Sequence, residues 1–237
     1  MQITVRLVTI NRVLAAALVV LTLAGIGVET LSARLARDLP VVRIFSLSRE
    51  SNVPTWYSSS LLLVCSFLLA LIAASKKEEG ARYVRHWVAL AAIFLYISMD
   101  ESAQIHELLN NLWDLPGIFF FPWVIPAGIL VVLFAITYLP FLLHLPPKTR
   151  LKVASAGGIY VGGALGVELI LGYWSDIHGT DNFGYSLIDW IEESMEILGA
   201  SLFCSALLEY LGTAVKDLHV SIETGRDAPW QPTASPT

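Results

Sequence analysis

The sequence predicts an all-α integral membrane protein, a bundle of about six transmembrane helices with both termini in the cytoplasm. The chain of 237 residues is 55% hydrophobic and only 15% charged, whereas soluble domains are about 25% charged. Its mean hydropathy is +0.65. A membrane-spanning helix needs about 20 mostly apolar residues, and six segments meet this requirement, near 11–31, 56–75, 85–109, 119–144, 153–174 and 186–211.

The two ends of the chain differ in character. The first apolar segment is long for a signal peptide and no convincing cleavage site follows it, so we expect a retained helix. The six segments form one membrane domain over residues 1–213, which leaves no room for a soluble catalytic domain. Residues 214–237 are polar and contain proline, and they predict a mobile cytoplasmic tail.

Basic residues in the short loops predict the orientation, because such loops favour the cytoplasmic side. The loop after the second segment and the loop after the fourth are basic, whereas the connections 110–118 and 175–185 contain no Lys or Arg. We therefore expect both termini to face the cytoplasm, and we expect the membrane to be a plasma or inner membrane. The basic residues of the two loops are Lys76, Lys77, Arg82, Arg85, Lys148, Arg150 and Lys152.

One loop departs from this pattern, because residues 32–55 should lie outside and yet are basic. Exposed arginines at this level can contact lipid headgroups. They can also bind an anion, such as a phosphate-bearing lipid held above a metal site. The arginines concerned are Arg34, Arg37, Arg43 and Arg49.

Acidic residues concentrate in the outer halves of three segments. The third segment closes with SMDESAQIHELLNN (98–111), the fifth carries one glutamate, and the sixth opens with DWIEESMEILGA (189–200). Residues three, four and seven apart share a helix face, so each acidic row can face inward. With a rise of 1.5 Å per residue, the rows should meet roughly 10 Å below the outer surface.

A bound divalent cation is the compensation that explains this charge best. One carboxylate at the centre of a membrane helix costs about 2.5–3.5 kcal/mol, so protonation, the arginines of 32–55 or a cation must offset four acids on one helix. Carboxylates with imidazole suit Fe, Mn or Zn. The predicted ligands are Asp100, Glu101, His106, Glu107, Glu168, Asp189, Glu192, Glu193 and Glu196, with His178 of the outer loop as a second imidazole.

Sequence motifs do not assign the chain to a known class of metalloprotein. Glu-x-x-His and His-Glu-x-x-His, which mark carboxylate-bridged dimetal bundles and zinc proteases, are both absent. Gly158, Gly162 and Gly166 lie four apart and predict a ridge for close helix packing. The expected partners are the lipid bilayer and a lipid-linked or anionic substrate, and we expect no nucleic acid.

Three functions remain open from the sequence. The first is a metal-dependent membrane hydrolase or oxidoreductase, with Glu107 or Glu193 as the general base. The second is a proton- or cation-coupled transporter, since intramembrane carboxylates also serve ion relays. The third is a non-catalytic subunit or assembly factor of a membrane complex, in which the acids hold a structural ion or contact a basic partner.

Overall fold

The computed structural model describes residues 6–35, 40–111 and 113–214, and every regular element in these ranges is helical, which confirms the all-α class. Two 3-10 turns span His106–Asn111 and Gly117–Phe119, and a π-helical turn, Gly162–Val167, joins two α-helices without a break. The predicted tail lies outside the described residues, except for Ala214. The α-helices are α1 (Leu7–Leu35), α2 (Pro40–Phe45), α3 (Val53–Glu78), α4 (Val84–Ala103), α5 (Val124–His144), α6 (Pro147–Val161), α7 (Glu168–His178) and α8 (Phe183–Ala214).

The described helices indicate a multi-pass membrane protein. Five of them are long and apolar enough to cross a bilayer: α1, α3, α5, the continuous helix Pro147–His178, and α8. Helix α4 has 20 residues, but its last turn carries Asp100 and Glu101, and it is not among the five. The six-span count of the sequence analysis therefore depends on α4.

Helix α8 is the centre of the bundle, since α1, α3, α6, the π-helical turn and α7 all pack against it. Two glycines allow the closest approach. A Cβ at Gly199 would lie 2.7 Å from the backbone nitrogen of Tyr160, and a Cβ at Gly163 would lie 2.9 Å from the carbonyl oxygen of Glu192. Because these neighbours are backbone atoms, α6 and the π-helical turn can sit this close only where side chains are absent.

The predicted glycine ridge contributes little to this contact. A Cβ at Gly162 would meet the Met195 side chain at 3.4 Å, but Gly158 and Gly166 face open space. Close packing of α8 on α6 and the π-helical turn therefore runs through Gly199 and Gly163, and packing of another helix on the ridge stays a prediction.

Serine hydroxyls join α3 to α4 at two levels of the helix pair. Ser59 Oγ donates to the carbonyl oxygen of Ser98, and Ser98 Oγ donates back to that of Ser59, both over 2.7 Å. Ser66 Oγ donates to the Ala91 carbonyl over 2.7 Å. Small polar residues with such cross-helix bonds are typical of helix pairs in membranes, and the pairing fixes α4 beside α3 although its last turn is polar.

A hydrophobic core fills the half of the bundle that lies away from the acidic end of α8. It is built by α3, α4, α5, α6 and α8, and it contains the free thiols Cys65 and Cys204, both buried. Its larger members include Leu69, Ile72, Trp87, Phe141, Phe203 and Leu207. The acids of the other half therefore lie above a close-packed apolar layer.

Candidate functional site

The loop between α2 and α3, residues 46–52, is attached to two helices. Ser46 Oγ donates to the buried carboxylate of Glu29 in α1. Ser48 Oγ donates to the carbonyl oxygen of Ser186 in α8 over 3.0 Å. These two bonds place Glu50, which belongs to the same loop, over the acidic end of the bundle.

The end of the same loop is fixed by Asn52, which is the N-cap of α3. Its Oδ1 accepts from the backbone nitrogen of Thr55 over 3.2 Å, and its Nδ2 donates to the Ser46 carbonyl over 2.7 Å. An N-cap amide satisfies one of the free N–H groups of the first helical turn. The cap therefore connects the start of α3 with the segment that carries Glu50.

The prediction that one helix continues through residue 109 is wrong. The helix ends at Ala103, and Gln104 adopts a left-handed conformation with φ 55°. Asp100 Oδ1 accepts from the backbone nitrogen of His106 over 2.9 Å, and Asp100 Oδ2 accepts from His106 Nδ1, also over 2.9 Å. The physical reason is that an aspartate side chain competes with the helix for backbone N–H groups.

This fold-back brings three side chains together at the mouth of the acidic end. One ring nitrogen of His106 and one carboxylate oxygen from each of Glu50 and Glu107 all lie within 4.8 Å of one another. We call Glu50, His106 and Glu107 the mouth triad. One nitrogen and two oxygen donors form a ligand set that suits Zn, Fe or Mn. Because Asp100 engages Nδ1 of His106, Nε2 is the ring nitrogen left to bind an ion.

Negative charge surrounds the imidazole of the mouth triad. Burial, together with the negative charge of Glu107, raises the pKa of Glu50 to about 7, although a hydrogen bond from Gln104 opposes this rise. Burial alone would lower the pKa of His106, but the hydrogen bond and charge of Asp100 raise it above its usual value. The buried Glu50 Oε2 has no hydrogen-bond partner within the described parts of the chain, and a cation would satisfy it.

Trp123 connects the mouth triad to the acids farther inside. Its ring centroid lies 4.7 Å from that of His106, and its Nε1 donates to Glu168 Oε1 over 2.8 Å. The 3-10 turn Gly117–Phe119 packs on α7 at Gly172, where a Cβ would lie 3.1 Å from the Ile118 carbonyl oxygen. This close contact fixes the segment that leads to Trp123, the residue before α5.

A second group of acids, the inner acids, lies deeper between α4, α7 and α8. Glu168, Glu192 and Glu196 are only 8%, 6% and 8% exposed, while the remaining members are half-buried. Each of the four acids of α8 interacts electrostatically with at least one other acid of that helix. Glu193 also interacts electrostatically with Glu101 and Glu50. The inner acids are Glu101, Glu168, Asp189, Glu192, Glu193 and Glu196.

One of the inner acids has an unpaired buried oxygen. Glu192 Oε2 is buried and has no hydrogen-bond partner in residues 6–35, 40–111 and 113–214. A buried polar atom without a hydrogen-bond partner destabilises the fold by about 1–3 kcal/mol, and by more when the group is charged. Since Glu192 also lies in the field of Glu168, Glu196 and Asp189, a proton or a cation must offset the charge here.

Two acids of this end were missed by sequence reasoning. Glu50 lies in the basic loop 32–55, whose arginines were the predicted functional residues. Glu29 is a single acid in α1, and its charge acts on Asp189. Neither belongs to a periodic row. The sequence did offer two signals: Glu29 is a carboxylate inside an apolar segment, and Glu50 lies in the one loop whose basic residues disagree with the predicted orientation.

Other predicted residues lie elsewhere. His178 is exposed at the end of α7, ten residues or about 15 Å along the helix from Glu168, and its ring stacks on Trp174 at 4.1 Å. Arg34 and Arg49 are exposed. Arg37 and the side chain of Arg43 lie outside the described residues.

Comparison with known proteins gives a family and no further relative. No curated protein and no solved structure matches the chain. The family model for the Domain of unknown function (DUF8692) matches residues 8–210, which is most of the chain and includes every member of the mouth triad and the inner acids. The chain therefore belongs to the family described as Domain of unknown function (DUF8692).

Proposed function

We propose that this membrane protein binds a divalent metal ion, Fe, Mn or Zn, at Glu50, His106 and Glu107 and uses it as a hydrolase or oxidoreductase on a membrane-associated substrate. The observation that carries the proposal is the mouth triad, whose three ligand atoms lie within 4.8 Å of one another. The Asp100–His106 hydrogen bond supports it, because metal-binding histidines usually donate their second ring N–H to such a partner.

The proposed topology makes α4 a sixth span and places both termini in the cytoplasm. The basic residues that favour the cytoplasmic side lie at the end of α3, in the loop before α4, at the start of α4 and at the start of α6. The mouth triad lies at the opposite ends of α3 and α4, beyond Ala103 and before Val53. The site then opens to the extracytoplasmic side.

A bound divalent ion would polarise a substrate oxygen or lower the pKa of a bound water. The residues of the chain would supply orientation and proton transfer. Asp100 holds the His106 ring, and Glu193, which senses the charge of Glu50, is the carboxylate proposed as general base. Arg49, next to Glu50 in sequence, and Arg34 are the proposed contacts for an anionic substrate group.

Chemistry at one membrane surface is favoured over transport by what lies beneath the inner acids. Past Gly199, helix α8 continues with Ala200, Phe203, Cys204 and Leu207, which are all buried in the hydrophobic core. A transporter must give its ions access to both sides, whereas an enzyme needs access to one. The close-packed apolar layer therefore supports an enzyme that opens outward.

Cation- or proton-coupled transport is the second candidate, and the inner acids are the observation that favours it. They extend the mouth triad inward along α8 from Asp189 to Glu196, over about 10 Å of helix. Uptake of Mn²⁺ or Zn²⁺ into proteoliposomes by the wild type, lost in Glu193→Gln, would favour transport over the enzyme.

Metal content tests the proposal. The wild type, purified in mild detergent and reconstituted with Fe, Mn or Zn, should retain near-stoichiometric metal, and His106→Ala should lose it. Glu78→Gln, which removes an exposed carboxylate at the far end of α3, is the matched control and should retain it. A wild type that holds none of the three metals after reconstitution would refute the proposal.

A further inference from the structure

A pocket lies at the end of the bundle opposite the mouth triad. It has a volume of about 240 Å³ and lies where α3 and α8 end, α4 begins and α5 ends. Its lining combines three basic side chains with three aromatic ones. These are Lys76, Arg82 and His144, and Trp87, Phe141 and Tyr210.

The basic side chains form the charged part of the pocket lining. Lys76 Nζ pairs with Glu79 Oε2 over 2.7 Å and lies 5.9 Å from the ring centroid of Tyr210. The guanidinium of Arg82 lies 4.8 Å from the ring centroid of Tyr83. Arg82 and His144 are exposed, so they can reach an anion at the opening while Lys76 and Glu79 neutralise each other.

The aromatic side chains of the pocket, which we call its floor, are buried and contact one another. Trp87 stacks on Tyr210 at 5.2 Å and meets the edge of Phe141 at 4.9 Å. All three rings are buried, so the floor exists before any ligand binds. A floor of this kind suits the apolar or glycerol part of an amphiphile better than a fully hydrated ion.

An apolar surface leads away from the pocket along α5. Leu143 and Leu139 are 57% and 51% exposed, and Ile136, one turn farther, is 65% exposed. In a membrane-spanning helix such a face contacts lipid acyl chains. A molecule with its head in the pocket could therefore lay its chains on α5.

From this arrangement we propose that the pocket binds the phosphate headgroup of an anionic membrane lipid, with Arg82 and His144 on the phosphate and the aromatic floor beneath the glycerol. Basic pockets between helices at a membrane surface recognise such headgroups. A soluble phosphate shares the anionic chemistry, but it would use neither the floor nor the lipid-facing side of α5. This site is independent of the mouth triad.

Native mass spectrometry of the detergent-purified chain tests the assignment with phosphatidylglycerol, phosphatidylcholine or inorganic phosphate as the probe. We expect the chain to retain phosphatidylglycerol in preference to phosphatidylcholine, and inorganic phosphate not to displace it. Arg82→Gln should weaken retention about fivefold, the effect of one surface charge. Lys77→Gln, in the last turn of α3 and not in the pocket lining, should leave it unchanged.

Three results would overturn the proposal: equal retention of both lipids, equal losses in Arg82→Gln and Lys77→Gln, or displacement by inorganic phosphate. The last of these would assign the pocket to a free phosphate. Arg82 is exposed, so its replacement should leave folding intact, and the thermal midpoint of the lipid-free variant checks this. His144→Gln offers a second variant at the opening, with the same expected direction.

Discussion

His106 binds Asp100 twice, through its backbone nitrogen to Oδ1 and through Nδ1 to Oδ2, both over 2.9 Å. The two residues are six positions apart, at the point where α4 ends. One carboxylate therefore ends the helix and also sets the orientation of an imidazole. Under the proposed function, the same side chain would also orient His106 toward the metal ion.

Replacing Asp100 with Asn should weaken metal binding without removing it. The amide can still accept one hydrogen bond, but it loses the charge that holds Nδ1 protonated and Nε2 available. Losing such a partner lowers metal affinity about 10–100-fold. Competition with a chelator measures the change. Asp114→Asn, an exposed acid of the same side, is the control and should bind as the wild type does.

Glu193→Gln should keep its metal, because Glu193 is not part of the mouth triad. The same substitution should abolish turnover once a substrate is found, if Glu193 is the general base. Metal analysis of the purified variant is the measurement. Loss of metal from Glu193→Gln with retention in Glu50→Gln would place the ion among the inner acids and contradict the assignment to the mouth triad.

Replacing Trp123 with Phe should destabilise the protein by about 1–3 kcal/mol, since Glu168 Oε1 would lose its indole donor while buried. Thermal unfolding in detergent measures the effect. Adding Glu168→Gln should recover part of the loss if the unpaired carboxylate is its cause. Trp56→Phe is the matched control, because Trp56 is 70% exposed, and it should unfold like the wild type.

Gly199→Ala should separate α6 from α8 and cost about 1–3 kcal/mol, because the new methyl group would lie 2.7 Å from the backbone nitrogen of Tyr160. Gly158→Ala, in open space on α6, should leave thermal stability unchanged or raise it slightly. Unfolding of the two variants, followed by circular dichroism, compares them. Equal losses of thermal stability in the two variants would contradict the close packing of α6 on α8 at Gly199. A change of oligomeric state in Gly158→Ala alone would support the predicted ridge for a partner helix.

The sequence predicted the helical class and five of the six apolar segments, because composition and the length of a membrane span constrain both. It predicted the acids of α8 on one face, because helical periodicity is a local property. It did not predict the end of α4 at Ala103, since the apolar run gave no sign that Asp100 would capture His106. Glu50 was missed for a different reason: tertiary structure brings it to His106 from a loop 56 residues earlier in the chain, and such a residue carries no local pattern.

X-ray absorption spectroscopy of the zinc-loaded protein tests the central claim most directly, because it reports the ligands themselves. The mouth triad predicts one imidazole nitrogen at about 2.0–2.1 Å and carboxylate or water oxygens at about 2.0–2.2 Å. It also predicts that the imidazole signal disappears in His106→Ala and persists in His178→Ala. A wild-type site of oxygen ligands alone, or an imidazole signal that survives in His106→Ala, would contradict the account.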